Sequence, residues 1–363
     1  MNKEGVFVGE LVGTILLGAG GIVAQRFQER LVSHPLFRLE IVAGSPDTAG
    51  RQLTNLEWNL DSPRPSNLDL VVLSMEEMLD TYDPVKTPVA FSTLPADIAA
   101  KIEPALVERG CRIYSNASAH RMLPEVPLIV PEVNGIVLER RLHDNAGILC
   151  STNCTVIPVA MTLAPIHRSH GIQSVRVRTE QSLSGGGANL LRKGISGEDF
   201  ERKIPGEAEK MEEELRRLLA DIADDGTERH AMFDVNIQCS RVGRAFGHVV
   251  HIETQTKENI DEETILRLWA TQSSILHLSL PSSPTFPLIV RENIDPERDL
   301  QAGEDTTDSL GFNLKRGMSI VVTPPIFESG WIQWSAFSAN TIRGAAGGCM
   351  LLAELDTQLR LRS

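Results

Sequence analysis

The feature that most constrains this chain is an alternation of short apolar runs and amphipathic segments that begins at residue 14. Residues 14–17 read as a buried strand, 18–21 as a glycine-rich turn and 22–33 as an amphipathic helix. Further strands are expected at 39–43, at 68–73 after a proline-rich loop (62–66), at 88–92 and at 112–115, with a helix at 95–108. Strands that alternate with helices bury their apolar faces best as a parallel sheet covered on both sides. The first reading is therefore an α/β chain whose residues 1–150 form a Rossmann-type doubly wound parallel sheet.

From residue 174 the rhythm changes. Segments 175–181 and 248–255 alternate and are rich in β-branched residues, as in a half-exposed antiparallel sheet. A polar helix is expected between them at 206–223, and an apolar Ala/Gly-rich helix at 341–355 must be buried against something. A chain of 363 residues is long for one core and suits two domains sharing an interface.

Charge and cysteine usage narrow the function. The net charge of −13 repels a phosphate backbone, and 5% aromatic residues leave few stacking surfaces, which argues against nucleic acid. Five cysteines, Cys111, Cys150, Cys154, Cys239 and Cys349, are an odd number in a large chain and read as reduced thiols of a cytoplasmic protein. No Cys/His cluster has zinc-ligand spacing, so no metal is expected. The apolar stretch 6–23 is interrupted by Glu10 and by glycines, and reads as a strand entering a turn rather than a membrane span.

Gly18-Ala19-Gly20-Gly21-Ile22-Val23 follows a strand and opens a helix, the context in which small residues let the backbone approach a pyrophosphate. The second strand ends in Ala43-Gly44-Ser45, with Arg51 close by. A hydroxyl and a guanidinium suit a ribose 2′-phosphate and favour NADP over NAD, although Asp47 stands nearby.

Cys154 precedes the apolar run 156–166, which places it at the first turn of a helix whose dipole and free N–H groups would lower the thiol pKa and stabilise an oxyanion. Its other reading is a small buried hydrophobe. His248 at a strand edge offers a base for a Cys/His pair or is structural. Gln181 and Arg241 read alternatively as surface polar residues, and Glu207 with Lys210 as a solvent ion pair at i, i+3.

Taken in order, several segments resemble the aspartate-semialdehyde dehydrogenase family, in its archaeal and fungal-type branch. They are the Gly18–Val23 turn, Phe91-Ser92-Thr93-Leu94-Pro95, Ser115-Asn116-Ala-Ser-Ala-His-Arg121, Val126-Pro-Leu-Ile-Val-Pro-Glu-Val-Asn134 and Asn153-Cys154-Thr155. Gln181-Ser-Leu-Ser184-Gly185, Pro205-Gly-Glu207-Ala-Glu-Lys210, Arg241-Val, Gly247-His248 and Asn340-Thr-Ile-Arg-Gly-Ala-Ala-Gly347 complete the series. The likeness spans nearly the whole chain.

The resemblance implies a second domain of the glyceraldehyde-3-phosphate dehydrogenase type at 151–339, with 340–363 as a helix returning to the first. It implies Cys154 as nucleophile, His248 as general acid/base and Gln181 orienting the intermediate. Arg241 would clamp a substrate carboxylate and Glu207 an ammonium, while Arg121, Lys210 and Asn116 would hold an acyl phosphate. Gly18, Ala19, Gly20, Gly21, Ile22, Val23, Ser45, Arg51, Ser92, Leu94, Ser184, Gly185 and Asn340 would line the NADP site. The implied reaction is attack of the Cys154 thiolate on β-aspartyl phosphate, loss of phosphate, hydride reduction of the thioester by NADPH and collapse to the aldehyde. A homodimer or homotetramer is implied as well.

The chain departs from the family at Gly20 (usually Thr), Ala24 (usually Gly), Thr152 (often Pro) and Gly243 (usually Pro), and 185–188 lacks a common aromatic. These departures keep open a related acyl reductase, such as one acting on malonyl-CoA, or a paralogue in a specialised amino-acid pathway. A cofactor-binding protein without catalysis is the reading from another class, and the joint presence of Cys154 and His248 argues against it.

Overall fold

The computed structural model describes residues 10–144, 147–271, 275, 278–303 and 313–362. Its first sheet comprises β1 (Val12–Leu17), β2 (Phe37–Gly44), β3 (Val72–Ser74), β4 (Val89–Ser92), β5 (Arg112–Ser115) and β6 (Ile148–Cys150). All neighbours pair in parallel in the order β3-β2-β1-β4-β5-β6. Ile15, Leu16 and Leu17 are fully buried, as expected of a strand covered on both faces. Each such side chain contributes about 1.5–3 kcal/mol by leaving water.

The expected third strand, 68–73, is shorter and later than its apolar run suggests. The carbonyl of Leu70 accepts from Leu53 N at 2.7 Å, and Val71 bridges Gln52, so these residues are spent on an antiparallel turn before β3 begins.

The second sheet holds β7 (Ile172–Gln181), β10 (Asp234–Arg241), β11 (His248–Thr256), β12 (Leu288–Val290), β13 (Ile320–Val322), β14 (Ile326–Glu328) and β15 (Trp331–Ser338); β8 (Asp221–Ile222) and β9 (Glu228–Arg229) pair separately. It is mixed rather than antiparallel. β7 and β11 run antiparallel, but β10 joins β7 in parallel, and β12 joins β13 in parallel. The parallel β7/β10 pair is possible because the long 182–233 crossover returns the chain to the same end.

Helix Val156–His170 is buried along Val156–Ile166 and packs on β11, β15 and helix Glu207–Leu218. That second helix stops at Leu218, short of the expected 223, because Asp221 and Ile222 enter β8. The last apolar segment opens as a π-helical turn, Ile342–Ala346, and continues as helix Gly347–Arg360. It lies against β5, where Asp356 accepts from Tyr114 Oη at 2.8 Å and from Arg112, and Glu354 meets His34 Nε2 at 2.9 Å. Among the described residues no helix is long and apolar enough to cross a membrane.

Candidate active site

β1 and β4 are neighbours whose connections leave in opposite directions, so a crevice opens beyond their carboxyl ends. Gly18 lies there at φ +101°, and a Cβ on it would meet Thr93 Oγ1 at 2.4 Å. Thr93 donates from both N and Oγ1 to Leu17 O, at 3.0 and 2.8 Å, which ties the two rims together. Helix Ile22–Leu31 starts at Gly21 without a side-chain cap, leaving its first N–H groups to a ligand.

Ala19 and Ile22 are buried, Val23 is half-buried and Gly20 is free of close neighbours, the nearest atom to a Cβ there being at 3.7 Å. Ser45, Asp47 and Arg51 are exposed beyond β2, with Arg51 Nη2 donating to Asn55 O at 3.0 Å. Ser92 and Leu94 are buried, so Thr93 between them is the side chain that meets Gly18.

The neighbouring ends of β5 and β6 carry the next group. Ser151 N donates to Ser115 O at 2.9 Å, and Ser151 Oγ donates to Asn116 Oδ1 at 3.0 Å. The Asn153 side-chain oxygen accepts from Thr155 N at 2.9 Å and Thr155 Oγ1 at 2.7 Å, and its carbonyl accepts from Val156 N at 3.0 Å. Cys154 thus sits on a tight turn immediately before the cap residue Thr155, not inside the first helical turn. Gly344 crosses this turn so closely that a Cβ on it would come within 2.7 Å of Cys154 Cβ.

The second sheet delivers the partners. Gln181 and Arg241 are register partners at the ends of the parallel strands β7 and β10, and His248 begins β11 beside them. His248 Nε2 lies 3.2 Å from Cys154 Sγ, while its Nδ1 accepts from Ser182 N at 3.0 Å. Glu207 Oε1 accepts from Asn153 Nδ2 at 2.8 Å and from Gln181 Nε2 at 3.4 Å. Arg241 Nη1 donates to Ser182 O at 3.2 Å. Gly185 leaves room for the imidazole: a Cβ there would approach His248 Cε1 to 3.1 Å. Ser184 is buried and shares its hydroxyl with Asn340, whose Nδ2 donates to it at 3.1 Å.

Electrostatics at the sulfur run against the expectation of an acidified thiol. Packing around Cys154, and then the carboxylate of Glu207, push its pKa up to about 12 against the opposing pull of Arg121. His248 is fully buried, and burial followed by Arg244 and Arg241 presses its pKa down to about 3. The resting pair is a thiol beside a neutral imidazole.

The other expected residues divide. Arg121 is buried, donating from Nη1 to Glu214 at 3.0 Å and from Nη2 to Asn116 O at 2.6 Å, and its buried Nε has no partner. Lys210 is exposed and makes no ion pair with Glu207, which turns inward instead. Two residues escaped the sequence reading. Glu214 was one acid in a run of three, although its i+7 spacing from Glu207 puts both on one helix face. Ser182, whose N–H meets His248, lay within the Gln181–Gly185 motif but was given no role of its own.

Comparison with known proteins identifies the family. A model of the semialdehyde dehydrogenase NAD-binding domain matches residues 14–140. The aspartate-semialdehyde dehydrogenase of Methanothermobacter thermautotrophicus is 33% identical over 366 residues, 96% of this chain and all of that protein. That of Saccharomyces cerevisiae is 30% identical over 94% of this chain and 96% of its own length. The crystal structure of the Candida albicans enzyme with NADP superposes with a TM-score of 0.80 at 26% identity, covering 97% of this chain and 100% of that one. The chain belongs to the aspartate-semialdehyde dehydrogenase family.

Proposed function

We propose that the protein catalyses the NADP-dependent reductive dephosphorylation of β-aspartyl phosphate to aspartate semialdehyde through a thioester on Cys154. The observation that carries this reading is the 3.2 Å contact between Cys154 Sγ and His248 Nε2, flanked by a carboxylate and a guanidinium. Glu207 suits the substrate ammonium and Arg241 its carboxylate; malonate has no ammonium for Glu207 to bind. Arg121 with its unpartnered Nε, Asn116 and the outer Lys210 would receive the acyl phosphate.

The Gly18 cradle and the uncapped helix at Gly21 fit a dinucleotide pyrophosphate. Ala19, Gly20, Ile22 and Val23 would complete that wall, with Ser45 and Arg51 at the ribose phosphate and Ser92, Leu94, Ser184, Gly185 and Asn340 toward the nicotinamide. NADP, when bound, supplies hydride transfer. Support for NADP over NAD comes from the exposed Ser45 and Arg51 and from the Candida albicans relative, whose structure contains NADP. This chain's own groups do the rest. The Cys154 thiol attacks the acyl carbon, a C–S bond replaces the C–O bond to phosphate, and the thiol proton leaves with the expelled phosphate. Gln181 orients the acyl oxygen, and the general acid/base His248 directs its Nε2–H at the sulfur, steadying the charge there as the tetrahedral species forms and collapses.

We read residues 1–150 as the cofactor unit, 151–339 as the catalytic and dimerisation unit and 340–363 as the returning helix, in a cytoplasmic homodimer or homotetramer. The test supplies aspartate semialdehyde, NADP and phosphate and follows NADPH absorbance. Phosphate-dependent turnover is expected, lost together with acyl-enzyme formation in Cys154→Ser. Silence with this substrate alongside turnover of malonate semialdehyde with CoA would overturn the assignment. A fall in kcat/KM for NADP but not for NAD in Arg51→Ala would bear out the cofactor reading.

A further inference from the structure

Glu214 lies on helix Glu207–Leu218, two turns below Glu207, with 2% of its surface exposed. Its carboxylate is fully engaged. Oε1 accepts from Arg121 Nη1 at 3.0 Å, and Oε2 accepts from Asn153 N at 2.7 Å and from Thr152 Oγ1 at 2.5 Å. Arg121 Nη1 and Asn153 N can only donate, and the Thr152 hydroxyl donates here as well, so both carboxylate oxygens face donors. A buried carboxylate with three donors is held rigidly, because losing any one leaves charge uncompensated.

The partners belong to two different parts of the site. Thr152 and Asn153 form the backbone that leads directly into Cys154. Arg121 is the guanidinium nearest Asn116, and it carries a buried Nε–H without a partner. One carboxylate therefore sets the distance between the nucleophile's turn and the cation of the anion cradle.

We infer that Glu214 is a positioning residue for the reaction at Cys154, fixing the thiol-bearing turn and Arg121 in one register, and that the Thr152 hydroxyl is one of the donors that hold this clamp. The inference rests on the proposed phosphate-dependent reaction. Glu214 touches neither substrate nor sulfur and acts through its partners.

Two variants separate its arms. In Glu214→Gln the amide oxygen can still serve Thr152 and Asn153, while the NH2 faces Arg121 and repels it. The KM for phosphate should rise about tenfold or more with NADP affinity held, as a small misplacement of a binding group does, and the melting temperature should fall because Arg121 loses its buried counter-charge. Because Glu214 acts through Arg121, the rise should largely vanish in an Arg121→Ala background. Thr152→Val removes only the hydroxyl; it should lower kcat several-fold and leave the KM for phosphate alone.

An unchanged phosphate KM in a folded Glu214→Gln, or full additivity with Arg121→Ala, overturns the inference. So does a Thr152→Val with wild-type kcat. The two readings fail differently: an inactive wild type sinks the proposed function, whereas an active wild type with an indifferent Glu214→Gln sinks only the clamp.

Discussion

His248 offers its two ring nitrogens to opposite sides: Nδ1 accepts the N–H of Ser182 at 3.0 Å, and Nε2 lies 3.2 Å from Cys154 Sγ. The backbone N–H leaves no place for a proton on Nδ1, so the neutral ring carries its hydrogen on Nε2, toward the sulfur. With the imidazole near 3 and the thiol near 12, neither ionises in the physiological range. Iodoacetamide should modify Cys154 slowly at pH 7.5, with a rate still climbing past pH 9. His248→Gln should leave that profile in place while turnover falls about 10²–10⁴-fold. A plateau in alkylation below pH 7 would reveal a thiolate–imidazolium pair instead and refute this prediction.

Asn340 holds the histidine from behind. Its Oδ1 accepts from Gly247 N at 2.8 Å and from Ser182 Oγ at 3.2 Å, in a site where it is 2% exposed. Asn340→Ala strands the Gly247 N–H, at a cost of about 1–3 kcal/mol. Urea denaturation should register that loss, and kcat should fall with it because the strand bearing His248 begins at this bond. Full stability in the alanine variant would show that the network is slack.

Gly344 tests how tightly the C-terminal segment closes over the nucleophile. An added methyl would stand 2.7 Å from Cys154 Cβ and 3.2 Å from its Cα, and the neighbour is backbone as much as side chain. Gly344→Ala should destabilise by about 1–3 kcal/mol and displace the sulfur from His248. Turnover is expected to drop by more than tenfold while NADP binding, followed by fluorescence, stays near wild type. Equal losses in both would mean that the whole fold had shifted.

The parallel sheet was legible because strands buried on both faces leave continuous apolar runs, and Ile15-Leu16-Leu17 and Val89-Ala90-Phe91 declare themselves. The mixed character of the second sheet was not, since the alternation in β7 is the same whether its neighbour β10 runs parallel or antiparallel. Cys154, His248, Gln181, Arg241 and Glu207 came from ordered motifs, and the structure brings these five together. Their pKa values were hidden: the helix start suggested an acidic thiol, but burial and the Glu207 carboxylate outweigh it. The roles of Glu214 and Ser182 were not legible because they lie in partners distant in sequence.

A buried pair ties the π-helical turn Ile342–Ala346 to the short helix Pro131–Asn134. Arg343 Nη2 donates to Glu132 Oε2 at 2.6 Å with both side chains fully buried, yet Arg343 Nε and Nη1 and Glu132 Oε1 find no partner. Arg343→Ala leaves a lone buried carboxylate and should cost about 3–5 kcal/mol. Replacing both, as Arg343→Met with Glu132→Leu, should recover most of that loss, because the pair is incompletely satisfied and its desolvation is large. A double variant as unstable as the single one would contradict the argument.

Cys111 supplies a pH dependence whose sign is fixed by its environment. Burial raises its thiol to about 11 in the folded chain, against about 8.5 for an unfolded cysteine. The folded state therefore keeps a proton that the unfolded state has lost between these values. Its contribution is fully present below about pH 8.5 and disappears as pH rises toward 11, an effect on the order of 3 kcal/mol. Cys150 and Cys349, both fully buried, have thiols raised by the same cause and add to the slope. Urea midpoints at pH 7.5 and 10.5 should differ clearly in the wild type and by less in Cys111→Ala. An identical drop in the two proteins would exclude Cys111 as a source of alkaline instability.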